Sequence, residues 1–159
     1  MKAIAEPLAI DGRFSPRALP DGRGILIDDA YNASPESMRA ALMAFERMNV
    51  SFPKIAVIGD MRELAQSAPF WHRQIGRMLR KTSSIERIIL VGIDVAWVEK
   101  TAPARIVRER VGTWLEAKER LEAMLSQGPA AVLIKGSRGV ALDNLVRAVT
   151  VPQRSEGQI

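Results

Sequence analysis

Four short runs in this chain are apolar almost without interruption, and each stops at a glycine or a polar cluster. They are Ile25-Leu26-Ile27, Ile55-Ala56-Val57-Ile58, Ile88-Ile89-Leu90-Val91 and Ala130-Ala131-Val132-Leu133-Ile134. A strand that is apolar at consecutive positions must be covered on both faces, which is the condition of a parallel sheet flanked by helices. The segments between the runs supply those helices. Met38, Ala41, Leu42, Phe45 and Met48 recur at steps of three and four from about Pro35 to Asn49. Ser34 is placed to cap that helix, and Pro35 suits its first position, where a missing N–H costs nothing. A second helix is expected over roughly 68–81 with Trp71, Ile75, Met78 and Leu79 inward, and a short one near 94–100. Two more are expected over about 113–126 and 141–150, with a further strand at Ala104 to Val107.

Ahead of this series, Arg17 to Leu19 and Gly24 to Ile27 flank Pro20-Asp21-Gly22-Arg23. Asp-Gly between two extendable segments signals a hairpin. The expected fold is therefore α/β: a mostly parallel sheet of about six strands with an antiparallel N-terminal hairpin and helices on both faces. One domain over 13–150 follows, with 1–12 as a leading linker and 151–159 as a flexible polar tail.

Composition removes several classes of function. The chain has no cysteine and one histidine, His72, so thiolate and histidine-based metal sites are not expected. No apolar run approaches the ~20 residues that span a bilayer, and the N-terminus lacks the apolar core of a signal peptide; the chain reads as cytoplasmic. The net charge of +5 raises nucleic acid as a partner, but the arginines are scattered among glutamates and few aromatics are available to stack on bases. An Arg-rich solvated surface is the better reading, and no nucleic acid is expected. The chain contains neither G-x-x-x-x-G-K-[ST] nor G-x-G-x-x-G, the glycine-rich loops that cradle phosphates.

In a parallel sheet, ligands gather at the carboxyl ends of the strands. Three polar clusters fall there: Asp28-Asp29-Ala30-Tyr31-Asn32-Ala33-Ser34, Gly59-Asp60-Met61-Arg62-Glu63 and Lys135-Gly136-Ser137-Arg138-Gly139. Each has a second reading. Asp28, Asn32 and Asp60 are residue types that satisfy turn backbone, and Lys135 and Arg138 are candidates for plain surface charge. The third cluster, with two cations, a hydroxyl and flexible backbone, suits a carboxylate or phosphate. His72 reads as packed at a helix–sheet edge, and Trp97 and Trp114 as packing residues. By themselves the residues suit holding an anion better than reacting with it, and no catalytic residue is assigned.

The same three clusters resemble motifs of the Mur ligases, most specifically the branch that adds D-alanyl-D-alanine to the UDP-N-acetylmuramoyl tripeptide in peptidoglycan synthesis. Ile27 to Met38 is similar to IDDSYNANPDSM, Val57 to Leu64 to VLGDMLELG, and Val132 to Gly139 to VLVKGSRG. Gly12-Arg13 matches the GR that opens the family's C-terminal, Rossmann-like domain, and His72 a histidine after the second motif. The resemblance covers about Arg13 to Val149, one of three modules. It implies that the UDP-sugar module and the ATP module, with the phosphate loop and magnesium ligands, are contributed from outside this chain. The isolated chain is then inactive; the alternative is a stand-alone binding or interaction module of the same descent.

Carried over by position, the resemblance implies that Arg13 and Asp29 reach the ribose of ATP and that Tyr31 and Asn32 close over the nucleotide. Lys135, Ser137 and Arg138 would hold the incoming dipeptide's carboxylate. Asp60 lies between, and we infer from that position alone, not from the resemblance, that it orients the dipeptide amine or its site. ATP and Mg2+ belong to the complete enzyme, with no cofactor in this chain alone. Ser34, Ala30 and Ala65 depart from the motifs; Ala65 stands where they have glycine.

Overall fold

The computed structural model describes residues 12–152. The segment before Gly12 and residues 153–159, read above as most of the linker and the tail, lie outside the described residues. Among the described residues six strands form one sheet: β1 (Ser15–Ala18), β2 (Gly24–Asp29), β3 (Lys54–Gly59), β4 (Ile85–Val91), β5 (Val107–Val111) and β6 (Ala130–Lys135). Their order is β1-β2-β6-β3-β4-β5. Only β1 is antiparallel, to β2; every other pairing is parallel. The expected hairpin is present: Leu19 N–H donates to Gly24 O across the turn, and Asp21 takes the left-handed φ of 61° that tight reversal needs.

Among the same residues five α-helices cover the sheet: α1 (Pro35–Arg47), α2 (Ala68–Met78), α3 (Ala96–Thr101), α4 (Trp114–Leu125) and α5 (Leu142–Thr150). Alternate residues of each strand serve opposite faces. Leu26, Val57, Ile89, Val132 and Ile134 pack with α4 and α5. Ile27, Ala56, Ile58, Ile88, Leu90 and Leu133 pack with α1, α2 and α3. Ser34 and Ser37 cap α1 reciprocally, each hydroxyl accepting the other's backbone N–H at 3.1 and 2.9 Å.

Two expectations are corrected. The fifth strand is Val107–Val111, not 104–107. Its central residues are Arg108, Glu109 and Arg110, charges that suit an exposed sheet edge by discouraging pairing with another chain. That protection erases the apolar signature used to find strands. Trp71 is 38 % exposed; the inward stripe of α2 is His72, Ile75 and Gly76, continued by Leu79 in the turn beyond it.

The amino-end rim of the sheet is closed by a polar cluster. Lys54 Nζ donates to the carbonyls of Glu46 and Met48 at the end of α1, each at 2.8 Å, and to Ser84 Oγ, where a cation complements the helix dipole. Glu46 accepts from the N–H and hydroxyl of both Ser83 and Ser84. Burial pushes its carboxyl upward, but the serine hydrogen bonds outweigh burial and hold it below its ordinary range. A depressed carboxyl contributes stability above its unfolded value of 4.5 and loses it as pH falls through the folded value. Glu46→Gln is therefore expected to cost about 1 kcal/mol at pH 7, after solvent screening. Urea midpoints of the two proteins should draw together as pH falls below 4.5; a gap that persists unchanged in acid would show that the charge is irrelevant.

Candidate functional site

The loops leaving β2, β3 and β4 lead to helices on one face of the sheet, whereas the loop leaving β6 leads to α5 on the other. Since β6 lies between β2 and β3, the chain parts around its carboxyl end. This is the crevice where open α/β sheets bind ligands. The three polar clusters do converge there.

At its floor, Asp29 and Lys135 are Cα partners across the β2–β6 ladder. Lys135 Nζ lies 2.9 Å from Asp29 Oδ2 and donates to Asn32 O at 3.0 Å. Asp29 Oδ1 accepts the N–H of Phe14 at 3.0 Å. The side chains are 4 % and 13 % exposed. Burial raises the Asp29 carboxyl above its ordinary range, with Lys135 and the Phe14 N–H pulling the other way. Lys135 is thus the counter-charge that permits a carboxylate at this depth.

Three further polar residues of the rim are turned inward. Asp28 accepts from the N–H groups of Gly12 and Ala30 and lies 3.4 Å from Arg17, which is the turn role open to it from sequence. Asp60 accepts from the N–H groups of Ile93 and Val95, both at 2.9 Å. Its carboxylate sits against Gly92, whose φ is +128° and where a Cβ would come within 2.2 Å of Asp60 Oδ2. Ser137 Oγ accepts the N–H of Arg62 at 2.7 Å and donates to Ala33 O. Asp60, Ser137 and Lys135, expected to meet substrate, are all buried, and their hydrogen bonds stitch four loops into one rim. Asp29, expected free to serve a ribose, has each oxygen already accepting a hydrogen bond. His72 belongs to the same layer. Its Nε2 accepts the N–H of Met61 at 3.0 Å, so the proton is on Nδ1, which donates to Ala68 O at 2.7 Å.

Outside this layer lie the residues that meet solvent. Tyr31 is 45 % exposed. Its ring has Arg13 Cζ at 4.5 Å and Arg138 Cζ at 5.2 Å from the centroid, two cation–π contacts on one ring. Asn32 is exposed beside it. From here an open groove of about 600 Å³ runs along α1, lined by Arg13, Phe14, Asn32, Ser37 and Ala44 with Lys135 at its base. A larger groove of about 810 Å³ lies between α1 and α2, with Leu64, Phe70, Trp71 and Met78 along it. It holds none of the eight site residues expected from sequence, whereas the smaller groove holds Arg13, Asp29, Tyr31, Asn32 and Lys135 and is therefore the candidate site. Among the described residues no group of three or more His, Asp or Glu side chains is arranged to hold a metal ion, and no helix is long and apolar enough to cross a membrane.

The structure therefore brings together all eight residues singled out, in two layers: Asp29, Asp60, Lys135 and Ser137 within, Arg13, Tyr31, Asn32 and Arg138 without. Sequence reasoning missed Arg62, an exposed guanidinium on the same rim, and Phe14, whose backbone fixes Asp29. The Gly-Asp-Met-Arg motif did contain Arg62, but nothing in its spacing said which side chain faces out.

Residues 12–138 match the family model described as Mur ligase, glutamate ligase domain. A UDP-N-acetylmuramoyl-tripeptide--D-alanyl-D-alanine ligase of Escherichia coli is 32 % identical over 92 % of this chain and 31 % of its own length. The enzyme of that name from Bacillus subtilis is 32 % identical over 77 % of this chain and 27 % of its own. The chain thus spans between about a quarter and a third of these relatives. A crystal structure of MurF from Acinetobacter baumannii superposes with a TM-score of 0.77 at 28 % identity, covering 89 % of this chain and 30 % of that one. MurF from Thermotoga maritima, in complex with ADP, gives 0.73 at 24 % identity over 92 % of this chain and 32 % of that one, a likeness of fold.

Breaking the floor of the site is expected to unsettle the fold. Asp29→Asn and Lys135→Met should each cost about 2–3 kcal/mol, somewhat less than a fully buried pair. The double variant should lose at least about 1 kcal/mol less than the sum of the singles. Denaturant melts of the four proteins test this, and strict additivity would show that the two charges do not depend on each other.

Proposed function

The chain belongs to the Mur ligase family, glutamate ligase domain, and we propose that it acts as the C-terminal substrate-binding domain of an ATP-dependent peptidoglycan-precursor ligase. In this reading it receives D-alanyl-D-alanine and closes over ATP, while partner modules hold the phosphates and the UDP-N-acetylmuramoyl tripeptide. The observation that carries it is the exposed Tyr31 ring held between Arg13 and Arg138 at the sheet's crevice. An aromatic face with flanking cations suits a base, a ribose or an oxyanion arriving from a neighbouring body.

The outer residues divide between two ligands. Arg13, Tyr31 and Asn32 border the groove along α1 and take the nucleotide side. Arg138, on the loop after β6, takes the dipeptide's carboxylate. Asp29 and Lys135 form the floor that fixes the loops carrying both. The residues present fit the outer face of a nucleotide and not its phosphates or Mg2+. Asp28, Asp29 and Asp60 all have their carboxylates engaged by backbone or lysine, which leaves the metal to the ATP module. ATP would supply an acyl phosphate there. This chain's residues orient the dipeptide toward that centre and exclude water as the bodies close.

Without its companions the chain should catalyse nothing. Fused to, or mixed with, the first two modules of a D-alanyl-D-alanine-adding relative, it should restore amide formation that requires both ATP and the dipeptide. ATP hydrolysis that never joins D-alanyl-D-alanine in a folded assembly would reject this reading in favour of a binding module. In the reconstituted enzyme, Tyr31→Ala should raise the KM for ATP by roughly tenfold, the loss of a stacking or cation–π contact. Its melt should stay close to the parent's, because Tyr31 is a surface residue.

A further inference from the structure

Arg62 stands on the crevice rim for reasons its own side chain does not explain. The loop carrying it is fixed from within at successive residues. Met61 is 1 % exposed, with its N–H held by His72, and the Arg62 N–H is held by Ser137 Oγ at 2.7 Å. The next residues are strained: Glu63 and Ala65 have φ of 66° and 48°, the left-handed region that side chains disfavour. Such strain collects where the surrounding structure must hold a group in place.

The Arg62 guanidinium lies over Gly139. A Cβ on Gly139 would stand 2.6 Å from Nη1, 2.7 Å from Cζ and 2.9 Å from Nε. Gly139 is not at positive φ, so this approach is what an alanine there would disturb. Arg138 is the adjacent residue, and its own guanidinium reaches across to Tyr31. Among the described residues, no carboxylate lies within ion-pairing distance of Arg13, Arg62 or Arg138. The rim's aspartates are spent on backbone and Lys135. Arg62 and Arg138 stand on two loops tied together through Ser137, and cations held there without counter-charge are arranged for an anion that arrives with the ligand.

We infer that Arg62 and Arg138 together form an oxyanion clamp, in which Arg62 is a specificity-determining residue for the ligand's terminal carboxylate or phosphate. This rests on the reading above and deepens it: the dipeptide's carboxylate is the favoured source, since Arg138 belongs to the loop assigned to that ligand and Arg62 lies over the same loop at Gly139. Two guanidiniums offer planar, paired donors that match a carboxylate, whereas an amide in its place would set its N–H groups against them.

The test uses the 159-residue chain, with arginine Nε–H resonances followed by NMR. The probes are D-alanyl-D-alanine, its C-terminal amide, inorganic phosphate and ADP. The dipeptide acid should shift the Arg62 and Arg138 signals. Binding should weaken at least about tenfold for the amide, and equally for the acid on Arg62→Gln, the loss expected of one charged hydrogen bond. Gly139→Ala should displace the Arg62 signal before any ligand is added. A tenfold loss confined to phosphate and ADP would keep the clamp and assign it to the nucleotide. If the dipeptide binds Arg62→Gln as well as the parent, the clamp is wrong while the domain's proposed role stands. If no anion moves Arg62, the clamp falls, and the reconstitution experiment decides the role by itself.

Discussion

The contact between Lys135 and Asp29 is the constraint on which this crevice depends. It joins the last residues of β2 and β6, the two strands between which the connectivity changes face. The ammonium also takes the carbonyl of Asn32, and the carboxylate the N–H of Phe14. One ion pair thereby fixes the end of two strands, the loop into α1 and the start of the hairpin. A buried pair of this kind contributes little net stability against an apolar substitute. What it supplies is position, because each charge becomes costly if the other moves away.

Around that pair, polar groups that look like ligand binders are occupied in holding loops. Asp60 gathers the start of the β4–α3 segment, Ser137 ties the β6 loop to both Ala33 and Arg62, and His72 steadies Met61. None of these groups waits for a ligand to become satisfied. The rim is consequently organised before anything binds, and the exposed arginines and Tyr31 are presented without a folding cost at the moment of association. The arrangement also explains why the ligand-facing layer is so basic: Asp28, Asp29 and Asp60 are all engaged beneath it.

Much of the fold was legible because burial wrote it plainly. Continuous apolar strands and the i, i+3, i+4 stripes of α1, α4 and α5 left few alternatives, and the Ser34-Pro35 cap marked the start of α1. The fifth strand escaped because an edge needs Arg108, Glu109 and Arg110 more than it needs apolar residues. Trp71 belongs to the stripe expected inward on α2, yet the small Gly76 and polar His72 occupy that face. At the site, strand-end position was readable and side-chain direction was not. Lys135 pairs with Asp29 only because β6 lies beside β2 in that register, a fact of long-range pairing that no local spacing contains. Aspartate, serine and histidine are also the residue types suited both to touching a ligand and to satisfying a buried loop, so their identity alone left both roles open.

The departure at Ala65 belongs to the same physics. A glycine would adopt its φ of 48° without strain, and alanine there costs roughly 1 kcal/mol or more. The loop nevertheless keeps its course, since Met61 is sealed in the core, His72 and Ser137 hold consecutive N–H groups, and Asp60 anchors the strand end behind them. Four fixed points in so short a span leave the backbone no cheaper path, and the strain is absorbed instead of relaxed. A loop that keeps its shape against an unfavourable residue is one whose outward side chain, Arg62, is held by the fold and not by its immediate neighbours in sequence.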